Sequence, residues 1–341
     1  MPAQVREMPM SGAVQPQFHP AGFDGELRTA LDDMRAGRWR STCELLRNCR
    51  TWGVRTSRSQ VLAAALVAAQ GDAVEAWLQE EPSADALMMR ARVRVQQALG
   101  ARRAGKRGVG LLADRARAAC FEAARYGPAD PVPWVCLVAL AQLDWPEEGR
   151  RRPEHQAQPP EYMLPSGPWV LLHEADKRDP GSREAWHRMI QALRAYGANL
   201  HDVVQWIRSW APDGSPLLLL PLYVHAEHYA TGRARGALTP LYWTSDPISH
   251  YAWRALEGWF WYADRTEWSA QDLNHLAQAL FSTGLYAEAA PVFEAIGPFV
   301  TPEPWKYIAE APDLWLEQFE RARDKCLAAA AGDTRYAARR R

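Results

Sequence analysis

The chain predicts an all-α fold, a right-handed superhelical solenoid of about seven helical hairpins spanning residues 24–331. Three observations lead there. From Asp24 onward apolar residues recur at helical spacing, with almost no strand-like alternation and with Gly, Pro or Asp-Pro punctuation. Gly37 and Gly71, each placed to turn one helix into the next, lie 34 residues apart. The stretch Leu273–Ile296 reads as two short amphipathic helices closed at Gly284, with small residues where they touch. A hairpin that cannot bury its own apolar face must stack on neighbours.

In chain order, residues 1–23 form a polar, flexible N-terminal tail. Gly37-Arg38-Trp39 turns a first helix pair, and Gly71-Asp72 a second, whose second helix is cut short by Pro82. A third pair runs over Ser83–Arg103 and Val109–Tyr126, with Ala116, Phe121 and Ala124 as its second packing face. Asp130-Pro131 then opens a helix with Trp134 and Leu137 three residues apart. These elements make up N-terminal repeats over 24–144. Residues 145–168 carry six prolines and the charged run Glu147–Arg152, and form a Pro-rich loop inserted within a hairpin. Such a loop is either functional or a solvated insertion.

C-terminal repeats follow over 169–331. Ala175 precedes Pro180 by five residues, Trp186 and Met189 come next, and Gly197 sits where a turn belongs. Between Asp202 and Arg265 the spacing drifts, with Pro216 and Pro247 at helix starts. The clear pair at 270–297 is followed by helices near Pro304–Ala311 and Asp313–Ala331 and by a basic tail, 332–341.

The pattern of Leu273, Leu276, Ala277 and Leu280, then Gly284 and Tyr286, then Ala289, Phe293 and Ile296 resembles one tetratricopeptide (TPR) repeat. Residues 116–137 and 172–197 share that pattern. The resemblance implies that the first helices of the pairs line a concave surface holding a peptide or partner protein. On that basis Arg183, Trp186 and His187, and Gln271, Asn274, His275 and Gln278 of the last repeat, face the concavity.

Composition narrows the function. Basic and acidic residues both number 40, so the basic excess typical of nucleic-acid binders is missing and no nucleic-acid partner is expected. Only four of the basic residues are lysine, a bias of GC-rich and plausibly actinobacterial coding. The five cysteines are scattered, without a CxxC pair, and predict reduced thiols in a cytoplasmic protein. The first 25 residues carry no apolar signal-peptide core, and no run reaches membrane-span length, so no membrane association is expected.

The motifs weigh against catalysis and cofactors. Gly100–Arg107 approaches a phosphate-binding P-loop, but Arg107 replaces the magnesium-binding hydroxyl and a helix precedes it. Gly108–Ala113 matches a loose dinucleotide fingerprint outside any βαβ unit. His225-Ala226-Glu227-His228 offers fewer ligands than a metal site requires. The aromatic block 242–268 holds Tyr251, Trp253, Trp259 and Trp261, with Arg254 and Glu257 as polar neighbours. A helix apolar all round is buried on both sides or exposes one to a ligand. The expected function is therefore a non-catalytic scaffold binding a protein or peptide. The alternative is a small-molecule binder or enzyme with an aromatic pocket in that block.

Overall fold

The computed structural model describes residues 15–144 and 152–332. Within them the chain is all-α: the only β pairing among the described residues is two isolated bridges. The chain divides into two compact units. Of the described residues, the larger comprises 24–144, 152–228 and 250–268, and the smaller 15–23, 229–249 and 269–332. Residues 152–168 of the Pro-rich segment belong to the larger unit.

The larger unit begins with α1 (Gly25–Arg35), α2 (Arg40–Arg47), α3 (Trp52–Ala69) and α4 (Ala73–Glu80). Next come α5 (Ala84–Arg103), α6 (Val109–Tyr126), α7 (Val132–Leu140) and α8 (Trp169–Asp176). It continues with α9 (Arg183–Ala195), α10 (Leu200–Trp210), α11 (Leu220–Ala234) and α12 (Asp246–Ala255). The chain changes unit within α11 and again within α12. Helix starts follow side-chain chemistry. Asp24, Thr51 and Ser83 each accept from the backbone N–H three residues on, satisfying a donor the helix leaves unpaired. The turn at Gly71 is made differently from expectation. Gln70, not the glycine, takes the left-handed conformation at φ 53°.

Packing follows a simple order. Helix α1 lies on α3, α3 on α5, α5 on α7 and α7 on α9, while α2, α4, α6 and α8 flank this row. Helix α3 also meets α9 directly. Packed helices stand about 8–10 Å apart, so helices separated by two others touch only where the row bends round.

The core of this unit is aliphatic along the row (Leu31, Leu62, Leu66, Met89, Leu137 and Met189) and aromatic beside it. Trp39 stacks on Trp77 with centroids 5.4 Å apart. On α6 the packing face is Ala116, Ala119, Cys120 and Ala123, which corrects the expected Ala116–Phe121–Ala124 set. Phe121 sits on the outside, with Arg117 over its ring and Trp134 against its edge. Successive residues of a helix are about 100° apart, so Phe121 stands a full step round from Cys120 of the seam, and an aromatic alone misplaces the face.

Of the Pro-rich insertion, residues 145–151, including most of the charged run, lie outside the described residues. The remainder is packed. His155 is buried and its Nδ1 meets Asp144 Oδ2 at 2.5 Å. Ala157 bridges Gly167, Leu164 is buried, and Trp169 Nε1 donates to Pro165 O.

The smaller unit contains α13 (Ala270–Ser282), α14 (Tyr286–Ile296), α15 (Pro302–Ile308) and α16 (Trp315–Gly332). Helices α13 and α14 form the hairpin expected from the sequence. Leu273, Leu276, Ala277, Leu280, Ala289, Phe293 and Ile296 are all buried. Gly284 turns the hairpin at φ 84°, a conformation glycine adopts without steric cost. Helix α16 packs on α14, and α15 on both α13 and α16. Residues 15–23, expected as tail, are packed here: Gln17 pairs with Phe299, and Phe23 meets the Phe299 ring edge-on.

Candidate functional site

The larger unit buries two ion networks of opposite balance. In the first, Arg55 of α3 serves two carboxylates, Asp130 at 2.7 Å and Asp85 at 2.6 Å, and also donates to Leu46 O. Asp130 in turn accepts from Val132 N at the start of α7. This network ties the loop before α7 to the front of the row.

In the second, one carboxylate serves two arginines. Arg92 of α5 is 1% exposed and meets Glu184 of α9 through both terminal nitrogens, at 2.7 and 2.8 Å. It also donates to Ser59 Oγ, Thr56 O and Gln60 Oε1 of α3. Arg188, one turn along α9, donates to the same Glu184 Oε1 through Nε and Nη2 and to Gln191 Oε1 through Nη1. Burial resists charge on Glu184, but Arg92 and Arg188 hold its carboxyl below the ordinary value. Burial and the like charge of Arg92 pull the Arg188 guanidinium down, with Glu184 only partly offsetting them. The field reaches Cys136. Burial opposes ionisation there, yet the Cys120 hydrogen bond and the arginines hold its thiol below the usual value.

A cavity of about 130 Å³ opens beside this second network. Helix α3 contributes Gln60; α5 contributes Gln96, Leu99, Arg102 and Arg103; the turn after α7 contributes Gln142 and Leu143; α9 contributes Arg188 and Gln191. Positions 92, 96, 99 and 103 of α5, and 184, 188 and 191 of α9, follow the three-and-four spacing that keeps side chains on one helix face. The cavity therefore lies on the row of alternate helices where α3, α5 and α9 converge. Arginine and glutamine predominate, and among the described residues no acidic side chain lines it.

The residues singled out in the sequence are placed as follows. Trp186 is buried in a four-tryptophan cluster, with centroids 6.3 Å from Trp169, 5.8 Å from Trp206 and 5.5 Å from Trp210. Arg183 lies over the Tyr223 ring, and His187 meets the edge of that ring and hydrogen-bonds Gln191. Tyr251 is buried against His225, and Trp259 is buried against Trp268. Arg254 pairs with Asp213 at 2.6 Å. Glu257 lies half-buried in the π-helical turn Leu256–Phe260 that extends α12. Trp253 and Trp261 are exposed. In the smaller unit Tyr242 and Trp243 pack on Tyr229. The aromatic block is thus shared between the two units, and the contacts in each are ring on ring.

Gln271 is exposed, but Asn274, His275 and Gln278 are buried, which corrects their expected place on an open surface. Asn274 Nδ2 donates to Ala270 O and Phe299 O, and its Oδ1 accepts from Trp305 Nε1 at 2.7 Å. Gln278 bonds Ser282, and His275 Nδ1 lies 2.9 Å from Gln271 O. These side chains satisfy backbone and neighbour groups inside the smaller unit.

Among the described residues no three His, Cys, Asp or Glu side chains gather as a metal site requires. His225 has another consequence. Burial and the neighbouring His201 and His228 lower its pKa from 6.5 to about 4. Between those values the unfolded chain binds the extra proton and the folded chain does not. Stability is therefore expected to fall as pH drops from above 6.5 through about 4. A His225→Gln variant should lose part of that slope, measured as urea midpoints at a series of pH values.

Fold and site together define a helical-repeat-like, all-α protein with a polar cavity on its row of alternate helices. Comparison with family models, with curated proteins and with solved structures finds no match. Among the described residues no single helix is long and apolar enough to cross a membrane.

Proposed function

We propose that the protein is a non-catalytic scaffold of TPR-like hairpins, stacked as a right-handed solenoid, that binds a protein or peptide on the inner face of its bent helix row. The observation that carries this reading is the direct meeting of α3 and α9, with a polar cavity on the side of the row those helices share. Solenoid proteins use such concave surfaces for recognition. The five free cysteines, four of them buried, fit a cytoplasmic setting. A small-molecule pocket within the aromatic block gains no support from rings that fill one another's space.

The partner surface moves along α9 relative to the sequence expectation, from Trp186 to Arg188 and Gln191. The test is charge reversal at the cavity rim with a partner purified from the native host. Arg102→Glu with Arg103→Glu is expected to weaken binding at least tenfold, about 1.4 kcal/mol. Leu111→Glu, on the exposed side of α6, should leave it unchanged. Equal affinity in both variants contradicts the reading.

A further inference from the structure

We propose that the cavity bounded by Gln60, Gln96, Arg102, Arg103, Arg188 and Gln191 is an oxyanion site that takes a phosphate group. Resting on the partner-binding reading above, that group is a phosphate monoester carried by the partner polypeptide.

The charge balance comes first. Arg92 and Arg188 share one carboxylate, Glu184, so a buried cluster of two cations and one anion carries one positive charge in excess. Buried charges are ordinarily paired, because removing an ion from water is costly. Around Arg55 the balance is reversed, one cation to two carboxylates, so that cation does not lack a counter-charge. The excess at Arg188 borders the cavity, and Arg103 adds a further positive charge at its edge.

Donors remain at the right place. Of the five N–H groups of a guanidinium, Arg188 spends three on Glu184 and Gln191, which leaves two. Gln60 accepts at Oε1 from both Arg92 and Gln96, which fixes its amide orientation and leaves its NH₂ group as a donor. These groups come from two different helices, and Arg103 of α5 supplies a third direction. Donors from three directions suit the three terminal oxygens of a phosphate better than the two coplanar oxygens of a carboxylate.

Size agrees. The cavity volume of about 130 Å³ is well below the roughly 300–1,000 Å³ of clefts that enclose whole drug-sized ligands. It accommodates a single ionic group with the rest of its carrier outside. A phosphate dianion answers the buried excess and one rim arginine together.

The experiment uses the full chain at constant ionic strength and follows thermal unfolding with inorganic phosphate, O-phospho-L-serine and acetate. At a few times the dissociation constant, both phosphate probes are expected to raise Tm by roughly 1–2 °C, and acetate by less than half as much. Arg188→Gln removes the excess charge, so this variant should fold without phosphate and show no phosphate shift. Gln60→Glu keeps the acceptor for Arg92 and places a tethered carboxylate in the cavity, and should also abolish the shift. No phosphate shift in the parent chain, or an equal shift in the parent and both variants, overturns the proposal. If a partner binds through the cavity rim while phosphate has no effect, the scaffold reading stands and this inference falls. A phosphate shift without any saturable polypeptide partner leaves a site for small phosphorylated molecules and overturns the assignment to a partner.

Discussion

Glu184→Gln is expected to cost about 3 kcal/mol, because it leaves the buried Arg92 and the largely buried Arg188 side by side with no counter-charge. Glutamine keeps the shape and one acceptor oxygen, so the loss reports charge and not a cavity. Arg188→Gln is the informative contrast. It leaves Arg92 and Glu184 as a one-to-one pair and should cost no more than about 1.5 kcal/mol, the worth of the hydrogen bonds given up. Urea unfolding of the two variants, compared at equal m, measures the difference. The pH dependence has a definite sign. Glu184 titrates below its ordinary value of 4.5 in the fold, so its contribution is complete above that value and is lost as pH falls through the lowered folded one. The deficit of Glu184→Gln should therefore shrink in acid. A variant as stable as the parent chain at neutral pH would contradict the buried-network account.

The second large effect belongs to the smaller unit. Trp305 is fully buried between Phe293 and Phe319, with centroids 5.8 and 5.3 Å away, and its Nε1 donates to Asn274. Trp305→Ala is expected to cost about 3–5 kcal/mol, since the ring volume is lost from a packed site. Asn274→Ala should cost about 1–3 kcal/mol by leaving the indole N–H unpartnered in the core. Denaturant unfolding gives both values. If Asn274 instead served a partner surface, its replacement would leave stability unchanged and weaken partner binding.

The contrast between Asn274 and Arg188 explains what the sequence can and cannot show. Helical spacing, Gly284 and the small residues of α13 and α14 are local features, and the predicted hairpin is present in the fold. The same holds for α5 and α6, where Ser83 caps and the helix limits match the pattern. Asn274 and Gln278 lie at positions that look exposed, because polar residues at helical spacing ordinarily mark a solvated face. Asn274 is instead covered by Trp305, 31 residues further on, in a Pro-interrupted stretch outside the hairpin pattern. A partner from outside the repeat cannot be read from the repeat.

The cavity is hidden for a related reason. Arg92 and Glu184 are 92 positions apart and meet only because the helix row bends. One local signal was available. Helix α5 carries Arg92 and Gln96 among buried alanines, methionines and leucines, and α9 repeats the pattern with Glu184, Arg188 and Gln191. Polar residues spaced to share a face with apolar ones mark either a flaw in a core or a network within it. Tryptophans at helical spacing point equally to an interface, where aromatic rings are common. Here Trp186 and Trp259 are spent on packing.

The most direct test of the central claim, that the inner face of the bent row is the working surface, is site-specific photo-crosslinking in the native host. A photoreactive residue at Arg103, on the cavity rim, is expected to give a saturable adduct with one polypeptide. The same group at Leu111, 59% exposed on α6, should give none. Adducts from Leu111 and not from Arg103 would place the partner on the opposite face and contradict the account.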